Sequence, residues 1–395
     1  MASFADLITF SRASVGWYFN ASGNLVQAAI NEPRFDYTAI SGRQPGLLIE
    51  PAATEENLKT TVSTATVTLP SGATATDLAL NVFGVFPGLQ VTSSDGNLQA
   101  VARTSLTYAF TATTGVSKTI EVYYRAGTSP TYRVSLFNDT TTNVSLFSGD
   151  IGAGSVSSTG TGAITKVSEQ LCADGLTYRL RLIFTPSESG PVRLGFGPHT
   201  TTVGLNAIFV TFFVRTGSVF STPILTNGST VTRSADVASV TQASTWFANN
   251  SGTFFGDFRV SYADTGTVPE VALFRINSGS YATLGHSVFL GTFDTATGRP
   301  NYRLETSSGV VTVQGGSTTY SPGSDVAVKA AVTYSDTVAK LCFSGGTVYS
   351  NTPLGTLPDM TSYNMVLGGL APITVLNLNY KPSTSSDTEL QALTA

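Results

Sequence analysis

The sequence predicts an all-β protein: two β-sandwich (jelly-roll) domains, preceded by a small N-terminal module and closed by a short C-terminal helix. Three observations predict it. The 395 residues are only 12% charged, with 10% aromatics and 38 glycines. That composition suits pleated, half-buried surfaces and tight turns, and it leaves little Glu, Lys or Arg for long amphipathic helices. Apolar residues recur with a period of two in many short runs. A stretch rich in turn residues, "STPILTNGSTVTRSADVASV" (221–240), separates two such series. At 41% hydrophobic residues the chain has enough apolar material for cores, which argues against disorder.

Residues 1–58 hold short strand-like pieces. Trp17-Tyr18-Phe19, a turn over 20–24 and Leu25-Val26 read as a hairpin, and "GLLIE" (46–50) reads as a strand. The segment is too small to bury a core alone, so it is expected to dock on something larger, its own chain or a scaffold. Seven charged residues fall between Asn31 and Asn57, where the chain-wide average would put about three against an ordinary protein's ~25% charge.

Residues 59–236 form the first expected sandwich. "KTIEVYYRAG" sets Ile120, Val122 and Tyr124 on one face and Glu121 and Tyr123 on the other. "TYRVSLFND" and "TYRLRLIFTP" alternate in the same way. "NAIFVTFFVRTG" is uniformly apolar and should be a central strand. Residues 237–395 form the second sandwich, from "GTFFGDFRVSYA" to "NMVLGGL". Ser386-Asp387-Thr388-Glu389 fits a capping box, with Leu390 and Leu393 behind it, and predicts the one helix.

Several function classes lack their chemistry. A net charge of −4 gives no footprint for nucleic acid, whose binding is dominated by phosphate neutralisation. No apolar run approaches the ~18 residues of a membrane span, and the N-terminus shows no signal peptide. Cys172 and Cys342 are expected as buried thiols made in a reducing compartment. The sequons at Asn20, Asn138, Asn143, Asn227 and Asn249 then read as chance products of a Ser/Thr-rich chain. His199 and His286 sit in different halves, and no nucleophile elbow, zinc or dinucleotide motif accompanies them. Glu270 and Glu305 stand alone, without the paired-carboxylate strand signature of sandwich glucanases. The loops 93–96 and 262–267 each offer one carboxylate, too few for calcium, and read as turns. No catalytic residue, metal or cofactor is expected. Trp17, Trp246 and the pair Tyr123-Tyr124 are aromatic candidates for sugar stacking, with core packing as the competing role.

"ITFSRASVGWYFNASGNLVQAAINEPRFDY…GLLIEPAATEENL" resembles the N-terminal module of tailed-bacteriophage tail-fibre or head-fibre proteins. The resemblance runs through Phe10, Arg12, Ala13, Ser14, Tyr18, Pro33 to Asp36 and Gly46 to Glu50. It continues at Thr232-Arg233-Ser234-Ala235-Asp236 and at the tail, Tyr380, Pro382 and Glu389 to Thr394. After Glu50 the family often reads Glu-Ala-Arg-Thr-Asn, and this chain departs from it. The resemblance implies a carbohydrate-binding-module-like sandwich, a concanavalin A-like or laminin-G-like one after it, and a virion-docking or oligomerisation role for residues 1–58. It implies a non-enzymatic virion surface protein, synthesised in the host cytoplasm, with other virion proteins as partners and homo-oligomers, trimers by preference. The alternatives are a purely structural capsid decoration protein and a surface-polysaccharide depolymerase. Arg34, Asp36 and Glu50 are expected to form ion pairs that pin the module, with Phe35 and Leu47 to Ile49 as its apolar anchor. A neutral host glycan is expected on the C-terminal sandwich at Trp246, Tyr281, Asn301 and Tyr302, the last two exposed after a Gly-Arg-Pro turn.

Overall fold

The computed structural model describes residues 7–395 apart from 41–44, 71, 99, 242–245, 263–270, 277–285, 291–299, 307–308, 316–322, 354, 358 and 370. The described residues are almost all β, in antiparallel sheets, with one α-helix.

The middle sandwich packs two sheets face to face. One runs in the order Gly162–Leu171, Thr177–Pro186, Lys118–Ala126, Asn206–Thr216, Phe86–Ser93, Ala73–Val82. The other runs Ser155–Thr159, Val144–Asp150, Thr131–Asn138, Gly190–Pro198, Ala102–Thr104, Val67–Thr68, with Phe110–Ala112 also on Gly190–Pro198. Asn206–Thr216 has strands on both sides, as its unbroken apolar run requires. Ile120, Val122 and Tyr124 enter the core between the sheets with Tyr132, Leu182 and Phe196. Their neighbours Glu121 and Tyr123 are buried as well, because the outer face of this sheet is covered by the N-terminal segment.

That segment docks on its own chain, in two places. Ile8–Ser11 pairs with Val237–Val240 and so adds the end strand to one sheet of the C-terminal sandwich. Gly46–Ile49 pairs with Ile373–Lys381, and Arg34–Asp36 pairs with Gly46–Ile49, which together extend the opposite sheet. Leu47, Leu48 and Ile49 are buried by this addition. Between these strands the hairpin Gly16–Phe19 and Leu25–Ala28 turns the other way. Phe19 and Leu25 pack on Phe83, Phe86, Tyr123 and Phe213 of the middle sandwich. Its turn needs Gly23 at φ +73°, a left-handed conformation that favours glycine, and the Asn20 side chain accepts the amides of Ser22 and Asn24 at 3.0 Å. The middle sandwich is thus an insertion between strands of the C-terminal one.

The helix Asp387–Thr394 starts at the expected box: Ser386 Oγ accepts the Glu389 amide at 3.2 Å. Its buried Leu390 packs on Ala331 and Cys342.

Candidate functional site

The charges concentrated in the first 58 residues meet those of the connector in one buried cluster. Arg34 Nη1 lies 2.6 Å from Glu50 Oε2, and Arg34 Nη2 pairs with Asp236 Oδ2. Arg12 Nη1 reaches Asp236 Oδ1 at 3.2 Å, and Arg233 Nη1 reaches Glu50 Oε2 at 2.7 Å. Thr222 donates to the same carboxylate through its amide and its hydroxyl, each at 2.6 Å. The backbone closes the joint, with Asp236 N donating to Glu50 O and Glu50 N to Asp236 Oδ2, both at 2.9 Å. The side chains are at most 2% exposed. Local folding explains the aim of each group. Arg34 points inward from an end strand, Glu50 follows Gly46–Ile49, and Arg233 ends a short strand paired with Ala53–Glu55.

Three guanidiniums share two carboxylates. Burial presses on the cations and lowers Arg233 to about 10, so it stays charged at neutral pH. Burial alone would raise the Glu50 carboxyl, but Arg233, Arg34 and the Thr222 donors outweigh it and bring it down to about 2. Such a cluster can hold segments together with directional, charge-assisted bonds. Asp36, which the sequence groups with Arg34 and Glu50, accepts the amides of Phe19 and Thr38 at 2.8 and 3.0 Å. The motifs that carry Arg12, Arg34, Glu50, Arg233 and Asp236 were visible in the sequence; their meeting was not.

A polar cavity of about 40 Å³ lies beside the cluster, between Glu50, Thr222, Arg179, Arg181 and Arg259, with room for water and little else. A larger groove of about 330 Å³ runs along the edge of the C-terminal sandwich between Ile8, Phe10, Pro33, Leu47 and Val375. Phe35, expected as a buried anchor, instead stands at this groove 56% exposed. Side chains alternate between the two faces of a strand, and Phe35 points away from the face on which Arg34 and Asp36 are buried.

The residues expected to hold a glycan are not gathered at a surface. Tyr302 is wholly buried, its hydroxyl 2.8 Å from His286 Nδ1, and Asn301 is buried too. The expected exposure is corrected here: Pro300 already opens the strand Pro300–Thr306, which is covered on both sides by His286–Leu290 and Gly309–Gln314. Trp246 is half-buried against Phe247, Phe254 and Tyr380. Tyr281 lies outside the described residues, as do Glu270 and most of the loop 262–267. Tyr123 and Tyr124 are buried, and Trp17 packs with the hairpin cluster.

Burial pushes the His286 imidazole down to about 3, which keeps it neutral. His199 is lowered by burial and by Arg133. Both cysteines are buried free thiols, and burial raises Cys172 to about 12. Among the described residues no group of His, Cys, Asp or Glu has the arrangement of a metal site.

No family model and no curated protein matches the chain. Among solved structures it is similar to the LG1-3 region of the laminin alpha2 chain, at 10% identity over 73% of this chain and 66% of that one, TM-score 0.25. It is similar to Trypanosoma rangeli sialidase at 13% identity over 82% and 62%, TM-score 0.30. Mouse laminin alpha1 domains LG4-5 match at 13% identity over 83% and 89%, TM-score 0.21. The matched parts thus span less than two thirds of the first laminin chain and of the sialidase. Superpositions with TM-scores this low carry no functional argument.

Proposed function

We propose that the chain is a non-enzymatic surface component of a tailed-bacteriophage virion, a rigid display protein that presents two β-sandwiches to the host surface and binds glycan there. The observation that carries this reading is the buried cluster. The motifs by which the chain resembles phage fibre proteins supply Arg12, Arg34, Glu50, Arg233 and Asp236, and these five side chains form one joint. Buried charge placed at the entry and exit of an inserted sandwich holds its orientation fixed, a role in display rather than turnover. Other virion proteins are the partners in this reading, and assembly proceeds in the host cytoplasm. Homo-oligomerisation belongs to it too: most of the N-terminal segment is buried on its own chain, but Phe10, Pro33 and Phe35 are left lining an open groove. The support is the apolar groove with Phe35 exposed at it, a surface of the kind that marks contacts.

Antibody against this chain, applied to purified particles and viewed by electron microscopy, is expected to decorate intact virions. Labelling of lysate protein but of no intact particle would overturn the reading. So would release of reducing sugar from host polysaccharide by the purified chain.

A further inference from the structure

The outer face of the second middle sheet carries a different set of charges. Thr131–Asn138, Gly190–Pro198 and Ala102–Thr104 are neighbours in that sheet. Their register, Phe137 opposite Arg193, and Ser135 and Arg103 both opposite Gly195, puts Arg133, Arg193 and Arg103 on one face, away from the core. Phe137 organises them: the Arg103 guanidinium lies 4.1 Å from the ring centre and that of Arg193 lies 5.3 Å away, within the range of cation–π attraction.

In the first sheet of this sandwich the buried Arg181 rests on Glu121 and Arg215 on Glu55. Among the described residues this face pairs one acid, Asp139, with its three arginines. Asp139 is taken by Arg193 in a fork, at 2.7 and 2.6 Å. Arg133, 8% exposed, donates among the described residues to the Leu98 carbonyl, at 2.9 Å. Arg103 meets no carboxylate among the described residues, and its Nε, the Arg133 Nε and Ser135 Oγ are buried without a hydrogen-bond partner. Burial, then Arg193, lower Arg103 from its ordinary value; Asp139 opposes them and Arg133 adds to the repulsion. Uncompensated buried charge is costly, and an oxyanion would compensate it.

We propose that this face binds the oxyanion groups of an acidic polysaccharide, with Arg103 taking a carboxylate or sulfate beside the Arg193–Asp139 pair. The arginines stand on adjacent strands at different heights, Arg193 level with Phe137, Arg103 with Gly195 and Arg133 with Gly197, so their Cα atoms spread over roughly 8–14 Å at ~4.8 Å between strands and ~3.4 Å per residue, room for more than one charged group of a chain. The cell-surface setting of the display reading favours a polysaccharide over nucleic acid, and titration with a DNA oligonucleotide decides between them. The proposal rests on the display reading for its setting, a particle meeting a cell surface, and names the ligand class that reading leaves open.

The test is calorimetric titration of the full chain with heparin as the sulfated probe, polygalacturonate as the carboxylated one and dextran as the neutral one. Binding of at least one acidic polymer is expected. It should weaken at least tenfold in Arg103→Met, weaken with added salt, and stay unchanged in Lys340→Gln, which alters a lysine paired with Asp387. The stronger of the two acidic polymers identifies the oxyanion. In the unaltered protein, the acidic polymer should also protect Arg103 from phenylglyoxal, read by peptide mass, which keeps the test valid if the variant misfolds. No binding, equal binding of dextran or of a DNA oligonucleotide, or an unprotected Arg103 would overturn the proposal. Particle labelling that fails while these titrations succeed would remove the display reading and leave the site standing.

Discussion

Glu50→Gln isolates the cluster's contribution to stability. The side chain keeps its shape, but the charge shared by Arg34 and Arg233 disappears, leaving three buried guanidiniums with Asp236 alone. Two routes give the magnitude. The carboxyl moves from 4.5 to about 2 on folding, which corresponds to about 3 kcal/mol at ~1.4 kcal/mol per tenfold change in proton affinity. Removing one partner of a buried pair costs about 3–5 kcal/mol. Taking the ~3 kcal/mol that the two routes share, at roughly 2–4 °C per kcal/mol for a unit of 150–250 residues, a loss of about 6–12 °C in the melting midpoint is expected at pH 7, followed by calorimetry. The acid limit supplies an internal control. A carboxyl depressed on folding contributes its stability above the unfolded value of 4.5 and loses it as pH falls towards about 2. The gap between the two proteins should therefore narrow below pH 4.5. A variant melting within about 2 °C of the parent at pH 7, against the ~6 °C minimum expected, or a gap that widens in acid, would refute the reasoning.

Three further outcomes are expected. His286, near 6.5 when unfolded and about 3 when folded, is protonated first in the unfolded state, so the C-terminal sandwich should lose roughly 1.5–2 kcal/mol between pH 6.5 and 5. Urea midpoints should show that slope, and His286→Gln should flatten it; an unchanged slope would exclude His286 as its source. Cys172 and Cys342 should resist a thiol reagent in the native protein and both react in denaturant, since burial raises both thiols. Leu390→Ala should cost about 2–5 kcal/mol and make Cys342, which Leu390 covers, the faster-reacting cysteine; modification of Cys342 at the parental rate would count against that packing.

Strands were legible wherever one face of a sheet meets a core, because period two is written in the side chains themselves. Ile120, Val122 and Tyr124 fall on the expected face. The second face of the same strand was not legible, since what covers Tyr123 comes from the hairpin of Phe19 and Leu25, about a hundred positions earlier. Arg34 and Glu50 stood out as charge in a charge-poor chain, whereas their link to Arg233 and Asp236 depends on strands that meet only in the fold. Asn301 and Tyr302 misled because a Gly-Arg-Pro sequence signals a turn without saying where the turn stops. The arginine face escaped notice for a similar reason: Arg103, Arg133 and Arg193 sit on strands separated in the sequence, and only the register puts them on one face.

The strand Gly46–Ile49 has a schedule to keep. Its partner Ile373–Lys381 is made roughly 320 residues later, so on a ribosome adding ~5–20 residues per second it waits some tens of seconds with Leu47, Leu48 and Ile49 uncovered. The inserted sandwich has its strands close together in the sequence and can fold during that interval, presenting Phe83, Tyr123 and Phe213 to the waiting hairpin. Nascent chains stalled before residue 373 should therefore be caught by chaperones through Leu47 to Ile49, and the hazard should end only when the closing strand leaves the exit tunnel.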